Sequence, residues 1–166
     1  MMKQEETTNS VDSITTTEIA MSTTAVSPAI APGRALRISL WVAQGLLFFA
    51  FASAGLVKLL TPIPELAAMM PRAGEYSPTF IHAIALIDLA GGIGILLPAL
   101  TRIMPGLTLL AALGCTVLQV FAMIFHLSRG EAPVVPLNIV LLALAVVVLW
   151  GRARIAPILP RGARRN

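Results

Sequence analysis

The sequence predicts an all-α protein: a four-transmembrane-helix bundle with a disordered N-terminal tail. Three observations carry this. Of 166 residues, 57% are hydrophobic and only 12% are charged, against roughly 45–50% and about 25% in an average soluble domain. That leaves too little polar surface to cover a water-soluble globule and excludes a soluble single-domain enzyme. The apolar residues gather in four runs, each near the ~20 residues a helix needs to cross ~30 Å of hydrocarbon. Residues 1–33 instead hold seven Thr, four Ser, four acidic residues and no aromatic residue, too little apolar content to offset ordering entropy.

Taken in order, residues 1–33 form the tail, and its opening Met-Met-Lys-Gln-Glu-Glu lacks the long apolar run of a secretion signal. The membrane domain covers 34–152. Its first span is about 38–60, its second about 79–100, its third about 104–127 and its fourth about 134–151. Prolines punctuate the joints: Pro62, Pro64, Pro71 and Pro78 in the first loop, Pro105 at the third helix start, Pro133 and Pro136 at the fourth. Pro98 fits a helix exit or kink near the end of the second span. Residues 153–166 are a basic tail.

Orientation follows from Lys and Arg. Eight of them (Arg34, Arg37, Arg102, Arg152, Arg154, Arg161, Arg164 and Arg165) lie on one side of the spans, and three (Lys58, Arg72 and Arg129) on the other. The positive-inside rule puts both termini in the cytoplasm, as expected of a multi-pass protein of the cell's inner (cytoplasmic) membrane. The net charge of +4 is thereby a membrane-orientation signal, and no nucleic-acid partner is expected. The single cysteine, Cys115, excludes a CxxC redox pair and a cysteine-built zinc site. Two histidines without local ligand spacing give no reason to expect a metal.

Polar residues inside the spans are the candidate site. At ~1.5 Å per residue, Asp88 lies ~13 Å and Gln119 ~12 Å from the outer surface, both near the midplane. Lys58, His82, His126 and Asn138 lie within ~6 Å of that surface. Helical spacing puts Gln44, Phe48, Phe51, Gly55 and Lys58 on one stripe of the first span. Cys115, Gln119, Met123 and His126 share a stripe of the third, and Asp88 stacks with Gly91, Gly92 and Ile95 on the second. A midplane acid costs ~2.5–3.5 kcal/mol on an insertion scale, so Asp88 is neutral, paired or functional. It is expected to face Gln119. Pairing with Lys58 needs a bent helix or an inward-reaching lysine, because ~10 Å separates their depths. His82 is ~9 Å away along the same helix.

The same residues carry a resemblance. FFAFASAGLVKLLTP resembles the first helix of the DoxX-like family of small four-helix membrane proteins. IDLAGGIGILLPALTRIMPGLTLLAALG resembles its second-to-third hairpin, FHLSRGE the outer end of its third helix, and PLNIVLLALAVVVLWGR its fourth. The likeness covers roughly residues 36–152. The family often has glutamate in the second helix where this chain has Asp88, whose reach is one methylene shorter. Some members are linked to quinone-coupled sulfur oxidation or thiol redox defence. The resemblance therefore implies a redox-associated membrane subunit that works with a membrane or redox protein partner.

Three functions fit the residues. In the first, a quinone head group meets His82, His126, Asp88 and Gln119, with Phe48 and Phe51 lining a slot for its tail; Lys58 and Asn138 complete the binding set. In the second, Asp88 is the proton-coupled site of a small transporter, with a second copy of the chain supplying symmetry. In the third, the bundle is a non-catalytic scaffold for a partner complex and Asp88 merely pairs with Lys58 or His82.

Overall fold

A computed structural model describes residues 33–162. The expected tail, but for Gly33, lies outside the described residues, as do residues 163–166. Five helices are described: α1 (Arg34–Leu60), α2 (Ile63–Met69), α3 (Pro78–Thr101), α4 (Gly106–Ser128) and α5 (Val135–Trp150). No strand occurs among the described residues. α1, α3, α4 and α5, the last counted with its flanking turns, are long and apolar enough to cross a membrane, as the four apolar runs predict.

The four long helices close into a ring, α1 against α3 and α5, α4 against α3 and α5. Short connections of 102–105 and 129–134 make successive helices antiparallel. α3 leaves its last turn through Arg102 at φ 59°, and Met104 follows at φ 50°, left-handed geometry that reverses the chain in four residues. At its start, Ser77 Oγ accepts the Phe80 N–H at 3.3 Å and caps the helix. The helix runs through Pro98 to Thr101, so that proline marks the last turn rather than the exit.

Lipid does not drive apolar helices together, so close backbone approach must. Gly55 of α1 meets the Ala85 carbonyl and Leu89 of α3, and Gly92 of α3 meets the Phe48 carbonyl and Ala52 nitrogen of α1. The central core is Ala43, Leu47, Phe51, Ile95, Ala112, Cys115, Ala145 and Val148. Large apolar side chains such as Phe49, Leu110, Phe121 and Val140 point outward, where lipid solvates them.

The first loop is more ordered than its prolines suggest. Pro62 precedes α2, Pro64 sits in its first turn, and a 3₁₀ turn follows at Pro71–Glu75. Leu66, Ala73 and Ile81 form a second small core there, flanked by Ile63 and Tyr76. Proline in a first helical turn needs no N–H partner, which is why a proline-rich loop can still start a helix.

Candidate functional site

The predicted stripes face inward. Gln44, Phe51 and Gly55 of α1, Asp88, Gly92 and Ile95 of α3, and Cys115 and Gln119 of α4 are all buried. Asn138 is buried on α5. Each of the four spanning helices thus contributes a buried polar side chain to the bundle interior.

Lys58 Nζ donates to Asp88 Oδ2 at 2.6 Å, with their side chains 20% and 7% exposed. The inward-reaching lysine is therefore the arrangement found. Side-chain direction explains it: the Cα–Cβ bond tilts toward a helix's N-terminus. For Lys58 that direction runs down into the bundle; for Asp88, on an antiparallel helix, it runs up toward the loop end. Gly55 sits level with Ala85 and Leu89, so Lys58 need bridge only about one helical turn, within the reach of its aliphatic stem. A depth difference counted along Cα positions overstates the gap.

Gln119 does not join this pair. It is 5% exposed and makes no side-chain hydrogen bond to another described residue. Asn138 is 7% exposed, and its Nδ2 is buried without a partner. An unmet buried donor costs about 1–3 kcal/mol, so the Asn138 amide is held at a cost that no interhelical hydrogen bond offsets.

A model of the DoxX-like family matches residues 42–148, well over half of the chain. The chain belongs to the DoxX-like family. No curated protein and no solved structure matches it. In this DoxX-like protein the matched stretch holds Lys58, Asp88, Gln119 and Asn138 and stops short of Arg152.

Among the described residues the two histidines share no hydrogen bond. His126 Nδ1 donates to Glu131 Oε2 at 2.6 Å, while His82 lies half-buried on α3 with no side-chain hydrogen bond to another described residue. No group of three or more His, Cys, Asp or Glu able to hold a metal occurs among the described residues. Next to His126, Arg129 binds Glu75 at 2.9 Å, donates to the Tyr76 hydroxyl and lies over the Tyr76 and Phe125 rings. These contacts tie the first loop across the loop end of α4.

The apolar slot expected at Phe48 and Phe51 is not there. Phe51 is 5% exposed and packed into the central core, because Gly92 lets α3 close on that stretch of α1. An open apolar groove of about 560 Å³ instead runs along α3 and α4. Gly91, Gly94, Ala111, Gly114 and Cys115 line it. Ile87 and Leu118, the chain neighbours of Asp88 and Gln119, also line it, so the groove extends to the level of both.

Sequence reasoning missed two buried polar groups, Thr108, which is 1% exposed, and Arg152. Arg152, at the end of the fourth span, is 6% exposed. Its Nε donates to Gln44 Oε1 at 2.9 Å, and Gln44 Nε2 donates to the Ile95 carbonyl at 2.8 Å. An arginine flanking an apolar run reads as interfacial. Here Gly151–Ile155 form a wider π-helical turn, and Gly151 lies against Leu40, which turns Arg152 inward.

Proposed function

We propose that this DoxX-like protein is a redox-associated membrane subunit that binds a quinone in the bundle half nearer α2. The observation that supports this is the unpartnered Asn138 Nδ2, in a bundle that also buries Gln119 and the Lys58–Asp88 pair. A quinone's carbonyls would take hydrogen bonds from Asn138, Gln119 and Lys58. Asp88 would hold a proton beside them, and the α3–α4 groove suits an isoprenoid tail. A bound quinone supplies uptake of an electron pair with a pair of protons. The chain's one cysteine cannot run dithiol chemistry, so the electrons are assigned to a redox protein docked on the bundle. Organic extraction of the full-length protein, purified in several detergents, should yield a quinone in a fixed ratio to protein. Its absence under every condition would overturn the proposal.

The Lys58–Asp88 pair also favours a second reading, a scaffold in which the pair only holds α1 to α3. In that case no quinone co-purifies and the pair matters to stability alone.

The proposed orientation puts the arginine-rich end, with Arg34, Arg37, Arg102, Arg152 and Arg154, in the cytoplasm and the chain in the inner membrane. Reporter fusions after Asn166 and within the 65–75 loop should report opposite sides, with Asn166 cytoplasmic. A periplasmic signal at Asn166 would reverse the assignment.

A further inference from the structure

At the arginine-rich end of the bundle, Arg152 carries a permanent charge while 6% exposed. None of the ion pairs among the described residues includes it. What it has instead is neutral: the Gln44 amide oxygen, a 3.4 Å contact to the Ala156 carbonyl, and the Trp41 ring 4.8 Å from Cζ. A guanidinium has five N–H donors; these contacts occupy three, and the bonded oxygens are uncharged. A buried charge is normally paired with an opposite one.

Beside Arg152 is a cavity of about 70 Å³ lined also by Pro105, Gly106, Thr108, Leu109, Pro157 and Ile158. That is room for about two waters, or for one tetrahedral oxyanion. Thr108 is 1% exposed, and its Oγ1 is buried without a hydrogen-bond partner. The cavity also abuts the first turn of α4, a 23-residue helix whose dipole favours an anion there. Its far wall is the segment after α5, held in place where the Arg161 N–H donates to the Arg102 carbonyl at 3.1 Å.

We infer that this cavity is a phosphate-group site, with Arg152 supplying charge and donors and Thr108 a hydroxyl donor. The group is either a free phosphate or the phosphodiester of a lipid at the membrane surface. Trp41 reports on the site, because it stacks on Arg152. With Trp150→Phe as background it is the only indole left among the chain's two tryptophans.

The test uses the full-length chain in dodecyl maltoside, with Trp41 fluorescence and melting temperature as readouts. One arm titrates inorganic phosphate. The other adds phosphatidylglycerol, with diacylglycerol of the same tails as the phosphate-free control. A saturable response in the first arm identifies a free anion. A response to phosphatidylglycerol but not diacylglycerol identifies a lipid headgroup. Arg152→Gln should abolish the response, and Thr108→Val should weaken binding about tenfold, equivalent to about 1.4 kcal/mol. Thr108→Val also guards against a folding failure in Arg152→Gln, because removing an unmet hydroxyl from a ligand-free protein is neutral or stabilising. No saturable response in either arm, or a response unchanged in Thr108→Val, would overturn the inference.

Discussion

Lys58→Met should cost about 3–5 kcal/mol in reversible SDS unfolding, since it strands the Asp88 carboxylate in the bundle. The Asp88 side chain is 7% exposed, so its charge is held largely out of water. Asp88→Asn should cost less, about 1–2 kcal/mol, because Lys58 is two residues from the end of α1 and can swing to the interface. Replacing both partners by apolar residues, as Lys58→Met with Asp88→Leu, should be neutral or stabilising by about 1–4 kcal/mol. The order of the three variants is the informative result. Equal costs for the two single changes would mean that neither charge sits in a low-dielectric interior.

The α1–α3 contact should be the most substitution-sensitive surface in the bundle. A Cβ on Gly55 would lie 2.7 Å from the Ala85 carbonyl oxygen and 2.8 Å from Leu89 Cγ. The first of these is backbone, so a whole helix must move. Gly55→Ala should cost about 1–3 kcal/mol, and Gly55→Val more. It should also weaken the Lys58–Asp88 pair, one turn away, by separating the helices that carry it. Gly45 and Gly114 are the controls: a Cβ there meets nothing within 4 Å. Gly45→Ala and Gly114→Ala should stabilise by up to about 1 kcal/mol, the helix-propensity difference between the two residues. Melting temperatures in one detergent check all four. A Gly55→Ala protein as stable as the Gly45→Ala protein would mean that α1 and α3 do not pack this closely.

Much of this architecture is readable in the residues. Four apolar runs of bilayer length specify the spans because the hydrocarbon thickness leaves few alternatives. The inward stripes follow from the helical repeat, and Gln44, Asp88 and Gln119 are buried where that repeat puts them. What the repeat cannot supply is side-chain direction and interhelical register. Lys58 and Asp88 meet because each side chain leans toward its own helix's N-terminus on antiparallel helices, and because Gly55 sets the register. Arg152 was hidden for a different reason. An arginine at the end of an apolar run has the same sequence signature whether it faces water or folds back onto Gln44. A signal did exist: Gln44 is an amide in an otherwise apolar half of the bundle and needed a partner. The slot expected at Phe48 and Phe51 failed because the glycine contacts that close it lie on a different helix.

The central claim is that the polar side chains inside the bundle are kept for a ligand and not for stability. Its most direct test is the binding of a short-tailed benzoquinone to the full-length protein in nanodiscs, compared with the Lys58→Met/Asp88→Leu double variant. Melting temperature is recorded on the same samples. The double variant should melt at or above the parent and bind the quinone at least about tenfold more weakly, a loss of about 1.4 kcal/mol or more. A folded double variant that binds with the parent's affinity would contradict the claim.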